Sequence, residues 1–209
     1  MGVQEFSISM AMFVFTVFVG KLGTEVLAAN EIALNVMSFG FMPAFAFGST
    51  ATILVWQEIG KGHSILGRRL GSEIAVLGCA FLLLLGIVEF IWAEQIVMLY
   101  TKYKDVALLA SGLITVAAFL QIFEGLLNFY AGGLRGIGET SFLLRISLIL
   151  TWVLFIPLTY VLTFVFKLSS YGAWVALNTY LLFFGLAVML RFYRRDWVLI
   201  KKKTTDAYI

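Results

Sequence analysis

Between Ile74 and Ile91 the chain carries one charge, Glu89, in an otherwise unbroken apolar run. Roughly 20 predominantly apolar residues cross the hydrocarbon of a bilayer. Lipid offers the backbone no hydrogen-bond partners, so a single spanning segment of this kind must be a helix. Five further stretches share the pattern, and six spans are expected near residues 3–20, 30–55, 72–92, 106–130, 142–166 and 172–191. Charged residues make up 13% of the chain, against about 25% in a soluble domain. The mean hydropathy is +0.98. The fold class that follows is all-α and integral to the membrane.

Breakers fall inside two spans. Gly40, Pro43 and Gly48 lie in the second and Pro157 in the fifth, where neighbouring helices can satisfy the backbone groups they free. With the N-terminus cytoplasmic, the inside segments hold eleven Lys and Arg and the outside segments four. By the positive-inside rule both termini are therefore cytoplasmic, in a cell membrane and, in a prokaryote, the inner one. The division is a transmembrane lobe over 1–191 and a basic cytoplasmic tail over 192–209. That tail, with Arg194, Arg195 and Lys201 to Lys203, reads as a topology anchor against anionic headgroups. The segment 92–105 has apolar residues on one helical face and is expected to lie in the interface.

Several chemistries are poorly supplied. The net charge of +3 is spread between apolar runs, which argues against nucleic acid. Cys79 is the single cysteine and His63 the single histidine, so no disulfide, Cys-based metal cluster or other cofactor is expected. No nucleophile–base spacing suggests an enzyme. The start, Met1 to Glu5, lacks the basic region of a cleavable signal, and the first span would serve as its own insertion signal.

Three segments carry more than span-forming composition: LGTEVLAANEIAL from Leu22, FMPAFAFGSTATILVWQEIGKG from Phe41 and QIFEGLLNFYAGGLRGIGET from Gln121. In the last, glycines permit a tight cytoplasmic turn, with Arg135 and Glu139 placed to cap or pair beside it. In order and spacing the three resemble the second half of the multidrug and toxic compound extrusion (MATE) family of cation-coupled antiporters. The resemblance covers nearly the whole chain and is most specific in the third segment. It implies the carboxy-terminal six-helix lobe of a twelve-span exporter, with substrate held between two lobes near the midplane. The partners implied are membrane lipid, an organic cation and a second lobe, either another copy or a missing amino-terminal half.

Glu124 is the leading candidate for cation coupling. A carboxylate at the bilayer centre costs ~2.5–3.5 kcal/mol on insertion scales and is rarely retained without use. It can bind a coupling ion, H+ or Na+, release it, and be neutral during one transition. The resemblance agrees, since the family associates an acid here in the tenth span with cation coupling. Gln121 and Asn128, at helical spacing, could ligate the ion or simply bond between helices. The family's seventh-span glutamate falls on Ile8, and Glu5 is one turn earlier. Glu5 either substitutes for that acid or sits in the interface of a shortened helix.

Glu31 stands where the family more often has glutamine, and both it and Glu89 are expected to be interfacial. Trp56 replaces a glycine and is expected to loosen lobe packing. His63 is expected to be solvated. The phenylalanines of the first two spans, Phe13 to Phe47, could hold flat cations by cation–π attraction or merely face lipid. Two further readings stand beside the exporter. One is a flippase for lipid-linked cargo; the other is a non-transporting remnant or assembly subunit, which half-length and Trp56 favour.

Overall fold

The computed structural model describes residues 2–198 and 200. The described chain is helical with no strand. Its elements are α1 (Gly2–Gly20), α2 (Thr24–Gly60), α3 (Ser64–Ile91), the short α4 (Ala93–Met98), α5 (Lys104–Gly136), α6 (Thr140–Val165) and α7 (Ser169–Arg194). The five long helices from α2 onward, α4 aside, are long and apolar enough to cross a membrane; α1 is a shorter apolar helix. The six expected spans are thus all helices, several running well past the apolar stretch that signals them. At ~1.5 Å per residue, α2 is on the order of 55 Å long, more than the ~30 Å of hydrocarbon.

The hairpins α2–α3 and α5–α6 close in the same way. Gly62 and Gly138 both sit at φ 79°, which disfavours a side chain. Behind them His63 N–H donates to Glu58 O at 2.8 Å, and Glu139 N–H donates to Leu134 O at 2.9 Å. These six-residue closures satisfy carbonyls that a helix end leaves open, and they fix where α3 and α6 begin.

The core is organised on α5, which packs against α2, α3 and α7 and is buried along most of its length. At the α2–α5 crossing Gly132 lies directly on the carbonyl oxygen of Gly48, and Thr52 Oγ1 donates to Gly132 O at 3.0 Å. Glycine is required there because a Cβ on Gly132 would overlap that carbonyl. On the far side of the lobe α1 packs against α6: Trp152 Nε1 donates to Ser7 Oγ at 2.8 Å, and Phe15 stacks on Phe155 at 5.9 Å. Pro157 falls in a short α-helical piece of α6 flanked by two π-helical stretches, 150–155 and 161–165. The helix absorbs the proline by widening its turns and stays continuous.

Two expectations are corrected here. Trp56 is 67% exposed beside Ile59 and the α5–α6 turn, so it does not wedge apart the helices of this lobe. Glu89 is not interfacial but 3% exposed. It lies two residues from the end of α3, where α4 packs on α3 and α5, and its hydrogen bond to Gln121 sets it against the middle of α5. Side-chain packing continues past residue 191. Phe192 and Trp197 are buried, Trp197 Nε1 donates to Phe192 O at 3.0 Å, and Arg191 and Arg195 clamp Glu139 at 2.8 and 3.1 Å. Lys201 to Lys203 lie outside the described residues.

Candidate functional site

A cavity of about 330 Å³ opens between α1, α2, α5 and α7. Each helix contributes residues at turn spacing, as one face of a helix must. From α1 come Gln4, Glu5, Ile8 and Met12; from α2, Met37, Phe41 and Phe45. α5 supplies Glu124, Leu127, Asn128, Ala131 and Arg135, and α7 supplies Leu177, Tyr180, Leu181 and Phe184. The wall is apolar and aromatic, and its polar groups are few. This is the usual make-up of a small-molecule site.

Glu124 is 6% exposed, and among the described residues its Oε2 has no hydrogen-bond partner. A buried carboxyl oxygen left unpaired costs stability. Asn128 sits one turn on, where its Nδ2 donates to Glu124 O at 3.0 Å. That bond holds the amide against its own helix and leaves its carbonyl oxygen toward other partners. Glu5 is exposed and lines the same cavity, and it lies within electrostatic reach of Arg135. Phe41 and Phe45 stack at 6.2 Å and are about half exposed, so the aromatic wall continues onto the lobe's surface. Tyr180 is held by Thr151 Oγ1, which donates to its hydroxyl at 3.2 Å.

Three of the four residues singled out in the sequence, Glu124, Glu5 and Asn128, therefore meet in one cavity. Gln121 does not. It lies roughly 60° around the helix from Glu124, as three residues at ~100° each require. It is fully buried, its Nε2 donates to Glu89 Oε2, and Gly40 closes over its amide. Arg135 and the α7 residues were missed. Arg135 was legible as a charge within the third motif but was assigned to the turn; Glu139 instead pairs with Arg191 and Arg195. Leu177, Tyr180, Leu181 and Phe184 follow helical spacing, yet nothing in an apolar span distinguishes a cavity face from a packed one. Of the other residues weighed, Glu31 is exposed, and His63 is largely exposed with Nδ1 3.4 Å from Glu58.

Comparison with known proteins gives the same architecture. The chain is 34% identical over 183 residues to the probable multidrug resistance protein NorM of Burkholderia pseudomallei (strain K96243), covering 85% of this chain and 39% of the relative. It is 29% identical over 186 residues to the probable multidrug resistance protein NorM of Pasteurella multocida (strain Pm70), covering 87% and 40%. The chain thus spans about two fifths of the length of the curated relatives it matches. The eukaryotic MATE transporter AtDTX14 superposes with a TM-score of 0.87 at 19% identity, covering all of this chain and 48% of that one. The MATE transporter ClbM, solved in complex with Rb+, does so at 0.83 and 16%, covering 98% and 47%. These superpositions show one lobe of the transporter fold. The sequence pattern of the MatE family matches residues 1–161, and the chain belongs to that family.

Proposed function

We propose that the chain forms the carboxy-terminal lobe of a two-lobed secondary exporter that exchanges H+ or Na+ for organic cations. The observation that carries the reading is Glu124, a buried acid with an unpaired oxygen at the wall of an aromatic cavity inside a membrane bundle. Ionisable groups in that position mark ion pathways far more often than they serve packing. The acid holds the coupling ion or the cargo's positive charge, and the two compete for it. Phe41, Phe45, Tyr180 and Phe184 offer ring faces to a flat cation. Alternating access requires a second lobe facing this cavity, a second copy or a separate amino-terminal half, because one rigid lobe cannot close a site from both sides. Family membership and the names of the NorM relatives support this class of cargo. The eleven-to-four distribution of Lys and Arg supports cytoplasmic termini.

The test is uptake of a fluorescent organic cation into lipid vesicles that contain the chain with its companion lobe. Accumulation is expected under an imposed H+ or Na+ gradient and is expected to collapse when an ionophore dissipates it. Accumulation indifferent to both gradients would overturn the reading.

A further inference from the structure

Among the described residues three acids are buried, Glu58, Glu89 and Glu124; Lys61 pairs with Glu58, and the cavity accounts for Glu124. Glu89, on α3, is 3% exposed, hydrogen-bonded to Gln121 Nε2, and unused by the site above. Gln121 is fully buried, and its Oε1 has no partner among the described residues. One turn along α5 stands Glu124, whose Oε2 is likewise unpaired and buried. Gln121 and Glu124, three residues apart, are neighbours on the surface of α5, and Glu89 is bonded to the first of them. Two carboxyls and one amide with two idle acceptors thus sit together where apolar helices surround them.

We infer that Glu89 is a second proton-carrying acid, joined to Glu124 through Gln121, so that the pair shares one proton across the α3–α5 contact. The inference rests on Glu124 being the cation-carrying acid of the proposed exporter. Three features of the cluster carry it. Two carboxyls in one apolar slot are costly to ionise together, so their protons leave in two coupled steps. The Gln121 amide suits both states of Glu89: its N–H2 donates to a charged carboxylate, and turned over its carbonyl accepts from a protonated one. The slot also suits a proton better than a metal ion. Hard cations such as Ca2+ gather about six or more oxygens, whereas three side chains supply the oxygens here and Gly40 closes the remaining side.

Among the described residues no ion pair reaches Glu89, whose hydrogen bond is to Gln121. α3 packs on α2, α4 and α5. On α2, Glu25 and Glu31 are exposed and Glu58 is paired with Lys61 at 2.6 Å; on α4, Glu94 is exposed. On α5 the acid nearest Gln121 along the helix is Glu124, while Lys104 and Asp105 stand at one end of that helix and Arg135 at the other.

The experiment is a pH titration of the purified full chain in lipid nanodiscs, followed by the infrared carbonyl band of protonated carboxyls. Taken as the difference from a Glu89→Gln/Glu124→Gln double variant, which removes the signal of the other carboxyls, the wild type is expected to show two separated steps in this band. Glu89→Gln and Glu124→Gln, each close in shape to the acid it replaces, are each expected to leave one step, moved from its wild-type pH because the partner charge is gone; a remaining step that does not move overturns the shared proton. An unchanged titration in Glu89→Gln overturns the inference, as does a single wild-type step shared by both acids. Should Glu89→Gln fail to fold, Glu89→Asp keeps the carboxyl and shifts the band of one step; both bands at their wild-type positions also overturn it. Vesicle uptake separates the two readings. Two coupled steps with gradient-indifferent transport would remove the exporter and leave the shared proton standing.

Discussion

Replacing Gly132 by alanine sets a methyl group against the carbonyl oxygen of Gly48, on the helix pair that holds the cavity open. The overlap is with backbone, which cannot rotate away, so α2 and α5 must separate. Overpacking of this kind costs ~1–3 kcal/mol. Separation also weakens the Thr52 Oγ1 bond to Gly132 O, a hydrogen bond of ~0.5–1.5 kcal/mol. Alanine returns ~1 kcal/mol of helix propensity. The balance is a loss of about 2 kcal/mol. Gly60 provides the control, since a Cβ there meets nothing within 4 Å; Gly60→Ala should gain ~0.5–1 kcal/mol. Both are read by unfolding in mixed micelles of rising denaturing detergent, followed by tryptophan fluorescence. Gly132→Ala as stable as wild type, or no worse than Gly60→Ala, would refute the close crossing of α2 and α5.

Three other outcomes are expected. Trp174→Phe strands Asn30 Oδ1, which accepts from Trp174 Nε1 at 2.9 Å in the fully buried core; the same unfolding assay should show a loss of ~1–3 kcal/mol. Trp56→Ala should change stability by no more than ~0.5 kcal/mol, as an exposed ring implies, and a larger loss would mean that Trp56 packs after all. Lys61→Cys and Lys102→Cys, placed in a background lacking Cys79, should react with an impermeant thiol reagent from opposite sides of the membrane, Lys61→Cys from the cytoplasmic side; labelling of both from one side would contradict the orientation.

The spans were legible because lipid imposes one rule on composition, and the rule is local. The third motif was legible because its glycines and charges recur at fixed offsets; they proved to form the α5–α6 closure and half of the α2–α5 crossing. The site was legible only in part. Glu124 and Asn128 share a cavity face, while Gln121 is turned from it by a rotation that spacing alone already contains but whose meaning depends on where α2, α3 and α7 stand. Glu89 announced itself as the one charge in its run. It was misplaced because the end of a helix was equated with the edge of the membrane, and the packing of α4 on α3 and α5 is a tertiary fact. Arg135 shows the same limit from the other side: a charge beside a turn can cap that turn or enter a cavity, and only the neighbouring helix decides.

The central claim is that Glu124 carries the coupling ion for cation export. Its most direct measurement compares Glu124→Gln with Glu73→Gln, an exposed acid on α3 whose partner is Arg69 at 2.8 Å, for gradient-driven uptake of a fluorescent cation into vesicles holding both lobes. Glu124→Gln is expected to abolish accumulation while the variant still folds and reaches the membrane, and Glu73→Gln to transport as wild type does. Full, gradient-dependent transport by Glu124→Gln would contradict that claim.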